Sequence, residues 1–383
     1  MGRNHNLYNG VRIGAPLIYA DNLIDADNVA NGRPIRNVAE RFRESSTFLP
    51  SVGWTFDDNI TDTTPDPDTG SSGSEIEARD TDFTGGTRRI QIQEDGQKVW
   101  IMGRVSSTSS TRLKSYSLSV PFELGSMPAG NTGDLTYSTF DYWILKTDGG
   151  AHITNPGSWH WSVDGMRGYL FNSGADVYQY ECSSPYTLVS SSSNQNINAD
   201  SLLQNIKNAS GSNQLTVNEN QTFISRDGRY LFVTGTANAG SGISRFINKF
   251  ELSTPWDITG SFTDNQQANQ SIDADVFSQF AGVSAMNNCP IFFSPDGTRM
   301  FLQNDGTKVV YQFELSTPWD LDTINTTEIN TFDPTNANSD RFSPTYDGKY
   351  FYFHNATEVV TMTRYSQVKH GGNIWWQLYL NSL

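Results

Sequence analysis

Cysteine is scarce in this sequence, and long apolar runs are missing. The 383 residues include only two cysteines, Cys182 and Cys289, which cannot form a disulfide framework. No window approaches the roughly 18 continuous apolar residues that a membrane-spanning helix needs, so we expect no membrane partner. The apolar stretch around Leu17 is too short for a secretory signal peptide, and we therefore expect synthesis in the cytoplasm.

Positive charge is also in short supply. Lysine and arginine number 26 against 41 acidic residues, which gives a formal net charge of −15. Proteins hold nucleic acids largely by placing cations on phosphates, so this balance argues against a nucleic-acid partner. The chain nevertheless has 12% aromatic residues and is long enough to bury a large core, which is not the profile of a disordered tail.

A short motif occurs five times: an apolar stretch, Asp-Gly, and a second apolar stretch. Asp-Gly between strand-forming segments predicts a hairpin, because the turn needs a positive φ that glycine adopts at little cost. The five turns consist of Asp95 and Gly96, Asp164 and Gly165, Asp227 and Gly228, Asp296 and Gly297, and Asp347 and Gly348.

A proline followed by an aromatic residue trails each of the first four copies. A strand should end at each proline, because proline cannot donate to a sheet ladder, and the aromatic ring should pack within the protein rather than stack on a glycan. Successive copies of both motifs lie 63 to 70 residues apart, apart from the last Asp-Gly pair, which follows after 51. The residues of this second motif that we single out are Pro121, Pro185, Pro255, Trp256, Pro318 and Trp319.

The two motifs keep step and predict a repeating unit of four antiparallel strands. Such units are typical of a β-propeller. The predicted class is therefore all-β, with about five blades and an irregular N-terminal arm, while six or seven blades stay open. Helical periodicity is limited to residues 38–43 and 201–207. We expect the ring to close by pairing both chain ends in one blade, with residues 46–56 contributing.

The best copy of the repeat resembles a known group. The segments FSPDGT (293–298) and YQFELSTPWDL (311–321) are similar to WD40-like and YVTN-like propeller repeats, which also occur in phage structural proteins and bacterial surface proteins. The resemblance covers about residues 85–368. It implies a propeller and says little about chemistry, because this fold carries both scaffolds and enzymes.

Residues 1–84 contain no repeat copy, whereas residues 85–383 form the predicted propeller with a C-terminal closing strand. The first 45 residues include six arginines and several apolar residues, and we expect an anchoring arm that packs on a neighbouring subunit or on the propeller. The following segment is acidic. Asp66, Asp68 and Glu77 partly match a calcium loop, but Gly70 stands where a ligand is needed, which favours a solvated acidic loop.

The residues that could form catalytic or metal-binding patterns have structural interpretations. None of the histidines (His5, His152, His160, His354 and His370) has a His or Cys partner at metal-ligand spacing. Ser225 and Asp227 partly match the Ser-x-Asp-x-Gly box of sialidase propellers, but here glycine follows the aspartate directly and the turn explains both residues. Both cysteines are expected to be buried free thiols. We therefore predict no catalytic residues, no cofactor and no metal site.

These observations favour a non-enzymatic structural protein of a bacteriophage virion, on the tail or the capsid, located in the particle. Its expected partners are other virion proteins in a multi-subunit assembly, together with a host-surface glycan or receptor if it contributes to attachment. The first alternative is a cell-surface module that binds glycans or proteins. The second is a carbohydrate-active enzyme, which would need two carboxylates placed across a glycosidic bond.

The C-terminal segment gives a first testable prediction. Residues 373–380 include two tryptophans, one isoleucine and two leucines, each of which contributes about 1.5–3 kcal/mol when fully buried. Truncation after His370 should therefore cause unfolding or aggregation, measured by thermal denaturation and size-exclusion chromatography. A soluble, monomeric truncation with an unchanged melting temperature would show that these residues make an external contact instead.

Overall fold

The computed structural model consists almost entirely of β-strands. It describes residues 55–56, 76–79, 87–105, 108–119, 121–122, 141–172, 176–188, 196–199, 201–203, 206–207, 209, 222–239, 242–264, 266–280, 289–328, 330–332, 341–345, 350–354 and 359–366. Asp66 and Asp68 of the predicted acidic loop, the Asp347-Gly348 turn, the helical pattern at 38–43 and the predicted closing strand at 373–380 lie outside these residues, whereas Glu77 is described. Within them, no helix is long and apolar enough to cross a membrane.

The strands form five sheets, and each of the first four corresponds to one copy of the repeat that has both motifs. Two short strands come first, β1 (Thr55–Phe56) and β2 (Ile76–Arg79). The first sheet contains β3 (Thr87–Ile92), β4 (Lys98–Val105), β5 (Ser110–Ser117) and β6 (Asp141–Lys146). The second contains β7 (Pro156–Trp161), β8 (Arg167–Asn172), β9 (Val177–Ser184) and β10 (Thr187–Leu188), and two further strands follow, β11 (Asn196–Asn198) and β12 (Ser201–Leu203).

The remaining sheets have the same order. The third contains β13 (Thr222–Ile224), β14 (Tyr230–Ala239), β15 (Gly242–Glu251) and β16 (Gln270–Asp273), with the short helix α1 (Ile258–Ser261) between its last two strands. The fourth contains β17 (Ile291–Phe293), β18 (Arg299–Gln303), β19 (Val310–Glu314) and β20 (Asn330–Phe332). The fifth contains β21 (Arg341–Pro344), β22 (Tyr350–His354) and β23 (Val359–Ser366), with β1 and β2 paired to β23.

The first strands of the sheets contact one another in a closed order. β3 contacts both β7 and β21, and β13 contacts both β7 and β17. Phe342 of the fifth sheet belongs to the same core cluster as Phe292 of the fourth, which completes the ring. The predicted all-β propeller is therefore confirmed, with the first strand of each sheet nearest the axis.

Both chain ends meet in the fifth sheet, as the closure of a ring requires. Phe56 pairs with Tyr365 and Ile76 pairs with Met362, so β1 and β2 both lie antiparallel along the outer edge of β23. The outer-strand position of this sheet is thus held by the N-terminal part of the chain. The domain boundary at residue 84 stays a prediction, although these two short strands already belong to the fifth sheet.

The described residues between 196 and 209 lie along the outside of three sheets. β11 pairs in parallel with β6 of the first sheet, and β12 pairs antiparallel with β9 of the second. Farther along, Lys207 forms a bridge with Gln267, next to the outer strand of the third sheet. We call residues 196–209 the strap. Residues 201–203, at the start of the helical pattern at 201–207, form a strand, because the edges of neighbouring sheets offer backbone partners that outweigh a weak helical pattern.

The strap is fixed by one buried side chain, which gives a second prediction. Ile206 is fully buried in the cluster that the second and third sheets share. Ile206→Ala should lower the free energy of unfolding by about 2–5 kcal/mol, because it leaves a cavity between two sheets. Chemical denaturation measures the change, and Val276→Ala, at a 49% exposed position, should have little effect. Equal small losses in both variants would show that the strap contributes nothing to the joint.

Candidate functional site

Each repeat turn is a compact hydrogen-bonded unit, as the third copy shows. The Gly228 N–H donates to the Ser225 carbonyl at 2.8 Å. Asp227 Oδ1 accepts from the Ser225 hydroxyl at 2.6 Å and from the Arg229 N–H at 3.1 Å. The Ser225 hydroxyl in turn accepts from the Tyr230 N–H at 2.9 Å. The serine and aspartate that partly match a sialidase box are therefore engaged within their own turn.

The same arrangement recurs in the other described turns. Ser162 donates to Asp164 at 2.6 Å, and Ser294 donates to Asp296 at 2.5 Å. The turn of Asp95 has Gln93 in place of the serine, yet Asp95 still accepts from the Gln97 N–H at 2.9 Å. These aspartates act as turn acceptors, which is a structural role.

The Pro-aromatic turn closes over the Asp-Gly turn of its own repeat. In the fourth copy the Trp319 N–H donates to the Gly297 carbonyl at 3.0 Å, and a Cβ on Gly297 would lie 2.2 Å from the indole ring. Gly297 has φ +72° and Trp319 has φ +64°. Glycine is needed here twice, for its backbone conformation and for the space that the ring occupies. We call this pair of turns the clasp.

Four clasps share this geometry. The aromatic N–H donates to the glycine carbonyl at 2.7 to 3.0 Å in every one. All four aromatic residues are left-handed, a conformation that costs a non-glycine residue about 1–2 kcal/mol and must be offset by packing. The four pairs are Gly96 with Phe122, Gly165 with Tyr186, Gly228 with Trp256, and Gly297 with Trp319.

The rings of three clasps also contact the preceding sheet. Trp256 of the third repeat stacks on Tyr169 of the second, with centroids 6.4 Å apart and planes at 25°, and the Tyr169 hydroxyl donates to the Trp256 carbonyl. Trp319 stacks on Tyr230 at 5.7 Å and 24°. Tyr186 stacks on Trp100 at 6.1 Å and 29°. The Pro-aromatic motif therefore joins neighbouring sheets as well as closing its own turn.

The closure of the propeller, between the fifth and first sheets, also involves a clasp. The Tyr352 hydroxyl of β22 donates to the carbonyl of Phe122 at 2.9 Å, which links the fifth sheet to the first clasp. The fifth repeat has no Pro-aromatic motif in its sequence, so the joint between the fourth and fifth sheets is made differently. Phe342 and Phe353 pack there in the core cluster of the fourth sheet.

Two glutamines add a polar contact to two of the joints. Gln179 Oε1 of the second sheet accepts from the Ile258 N–H at 3.1 Å, and Gln270 Oε1 of the third accepts from the Leu321 N–H at 3.2 Å. Ile258 and Leu321 follow the Pro-aromatic turns and are buried. These glutamines lack a repeated spacing and were not predicted. The partners of the clasps, Trp100, Tyr169 and Tyr352, were not predicted either, although each lies five residues after the aspartate of its repeat.

A narrow cleft lies beside the clasp of the second repeat. Gln91, Glu94, Trp100, Trp161 and Tyr186 are among the residues that line it, and its interior holds about one water molecule. That is far smaller than the roughly 300–1,000 Å³ of a typical ligand pocket. Burial and the nearby carboxylate of Glu94 raise the pKa of Tyr186 to about 12, so its phenol stays a hydrogen-bond donor.

Polar side chains join the innermost strands on one side of the axis. The Trp161 N–H donates to Gln91 Oε1 at 3.2 Å. His160 Nε2 lies 2.6 Å from the Thr222 carbonyl, which can only accept, so this nitrogen carries the proton. In the third and fourth sheets the residues at the corresponding position are Phe223 and Phe292, whose rings meet edge to face at 5.0 Å. The axis thus has a polar half and an apolar half.

His160 is a buried structural histidine, as predicted. Desolvation and then the positive charge of Arg89 hold its pKa well below the usual value. The neighbouring residues Trp159 and Trp161 pack on the opposite face, in the core between the first and second sheets. The two cysteines are also buried and free, in agreement with the sequence analysis. Within the described residues, no group of three or more His, Cys, Asp or Glu side chains is placed to hold a metal.

Comparisons with known proteins give distant structural likenesses only. No protein-family model and no curated protein matches the sequence. Two similar solved structures are proposed 6-phosphogluconolactonases from Bacteroides uniformis (15% identity, 70% of this chain, 77% of the other, TM-score 0.35) and Bacteroides fragilis (14%, 72%, 66%, 0.35). A third is the periplasmic gluconolactonase of Pseudomonas aeruginosa (12%, 67%, 58%, 0.35). At this identity and TM-score the likeness carries no argument about activity.

The clasp gives a third prediction. Gly297→Ala should lower the free energy of unfolding by about 2–5 kcal/mol, because the methyl group collides with the Trp319 ring and the residue keeps a left-handed φ. The matched control is Gly149→Ala, where the nearest atom would lie 3.9 Å away. Urea denaturation of both variants measures the difference. A Gly297→Ala protein as stable as the control would contradict the role of the clasp.

His160 gives a fourth prediction, about pH. A lowered pKa in the folded state means that the unfolded chain binds the proton first, so stability is present above the unfolded pKa near 6.5 and is lost as the pH falls below it. The slope from this one group approaches about 1.4 kcal/mol per pH unit. Denaturation from pH 7.5 to 5.5 should show a flatter curve for His160→Gln than for the wild type.

The control for this experiment is His152→Gln, because His152 is exposed. Its stability should follow the wild-type pH dependence. If His160→Gln retained the wild-type slope as well, His160 would not be the group responsible.

Proposed function

We propose that the protein is a non-enzymatic structural component of a bacteriophage virion, a rigid propeller on the tail or capsid that works through contacts with other virion proteins. The observation that carries this proposal is the use of the repeat residues. The aspartates, glycines and Pro-aromatic rings that define the repeat are engaged in the clasps, and the rings also join adjacent sheets. The repeated residues therefore stabilise the turns and hold the sheets rigidly together.

Three further observations support the proposal. The repeats resemble those found in phage structural proteins. The composition, with eight lysines and a net charge of −15, suits a protein that is exposed to the medium and does not bind nucleic acid. In addition, Ser225 and Asp227, which partly match the sialidase box, bond to each other and to their own turn, so their groups serve the backbone.

The experiment is to locate the protein in particles. An antibody raised against the purified protein should label particles sedimented from a lysate of the source culture, with gold at one fixed place on each particle. An antibody to an abundant cytoplasmic protein of the same cells is the control and should label none. Recovery of the protein only in the soluble fraction, with no labelled particles, would contradict a virion role.

Enzyme activity is tested on the same purified protein. Incubation with polysaccharide from the surface of the host cell should release no reducing ends beyond those of a heat-denatured control. Sustained release would overturn the non-enzymatic part of the proposal, and loss of that release on changing one carboxylate would identify a glycosidase. Binding to whole cells without release would agree with a role in host attachment.

A further inference from the structure

Asp-Gly pairs are chemically reactive positions, and the sequence contains seven of them. In such a pair the backbone nitrogen of the glycine can attack the carboxyl carbon of the aspartate, because glycine has no side chain to hinder the approach. Five of the pairs belong to the repeat turns, and the other two are Asp148-Gly149 and Asp305-Gly306. The fold decides which of them reacts, because it sets the direction of each glycine N–H.

In five of the six pairs that the structure describes, the glycine N–H donates to an oxygen of another residue. In the four described repeat turns the acceptor is the carbonyl three positions earlier, at 2.8 Å. The aspartates of these turns in turn accept from the N–H two positions later, as Asp95 does from Gln97 at 2.9 Å. The Gly306 N–H donates to Asn304 Oδ1 at 2.8 Å. These hydrogen bonds keep the two reacting groups of each pair apart.

The sixth pair, in the loop between β6 and β7, is arranged differently. The Gly149 N–H donates to Oδ1 of the adjacent Asp148 at 2.9 Å. The carboxyl carbon Cγ is bonded directly to that oxygen, so the two reacting atoms are already held near each other. Both residues are exposed, which gives water access to the carboxyl group. The Gly150 N–H donates to the Thr147 carbonyl at 3.0 Å and keeps the turn in this shape.

We propose that Asp148-Gly149 is a site of spontaneous covalent modification, at which the aspartate isomerises to isoaspartate in the folded protein. The Gly149 nitrogen bonds to Asp148 Cγ, while the amide proton and the hydroxyl of the protonated carboxyl group leave as water. Water then adds to one of the two carbonyls of the resulting succinimide. Addition at Cγ restores aspartate, whereas addition at the main-chain carbonyl breaks the original peptide bond and leaves the chain running through Cβ and Cγ. Water is the only co-reactant, and the mass of the protein is unchanged.

The product lengthens the main chain by one atom at the tip of an exposed loop. The base of this loop is held by the Lys146 carbonyl, which accepts from the Tyr180 hydroxyl at 2.9 Å and from the Ala199 N–H of the strap at 3.1 Å. The added atom therefore alters the tip and leaves the sheet in place, because loop tips tolerate such changes. This inference does not depend on the virion role.

The test ages the purified full-length protein at neutral pH, below its melting temperature, and maps isoaspartate by proteolysis and electron-transfer mass spectrometry. Asp148 should convert at least several-fold faster than the aspartates of the other described pairs. In concentrated urea all six should convert at similar rates, because glycine follows each of them and the fold no longer sets the approach. The five internal controls are Asp95, Asp164, Asp227, Asp296 and Asp305.

Two variants at the exposed loop complete the test. Gly149→Ala places a methyl group beside the attacking nitrogen, at a position where the nearest atom would lie 3.9 Å away, and it should fold normally and slow the conversion several-fold. Asp148→Glu keeps the charge but would have to close a larger imide ring, so it should give no product. Conversion of Asp148 no faster than that of the five controls in the folded protein, or a wild-type rate in Gly149→Ala, would overturn the proposal.

Discussion

The packing of an aromatic side chain over a glycine backbone is the contact on which the closed arrangement of sheets depends. In the fourth repeat, Trp319 covers Gly297 and also stacks on Tyr230 of the preceding sheet. One side chain thus fixes the turn inside its own sheet and the angle to the next sheet. Left-handed φ values recur at all four Pro-aromatic positions. Each of them raises the conformational energy of the backbone, so the packing of the aromatic side chain must offset that energy.

Two further joints complete the ring. At the closure between the fifth and first sheets, the Tyr352 hydroxyl donates a hydrogen bond to the Phe122 carbonyl of the first clasp. β23 also gains β1 and β2 as edge partners, which protects an edge that would otherwise be open. The strap braces the first three sheets from outside, so the sheets are linked both near the axis and around the rim.

The sequence was informative where a local rule repeats. Asp227 with Gly228 predicts a hairpin from its own chemistry, and the glycine has the expected positive φ. The contacts between repeats were harder to foresee. The stacking of Trp256 on Tyr169 joins residues 87 positions apart, and no local pattern states that their sheets are adjacent. Residues 201–207 have a weak helical period, yet residues 201–203 form a strand because their partners lie on a distant strand that the local sequence does not indicate.

The most direct test of this account is a double-mutant cycle on the joint between the second and third sheets, using Trp256→Ala, Tyr169→Ala and the double variant. The account predicts a coupling free energy of about 0.5–1.5 kcal/mol or more, as for other aromatic pairs in contact. Trp256→Ala combined with Tyr311→Ala is the control, because Tyr311 packs in a different cluster, and its effects should add. Additive effects for Trp256 and Tyr169, within about 0.3 kcal/mol, would contradict the claim that these rings hold neighbouring sheets together.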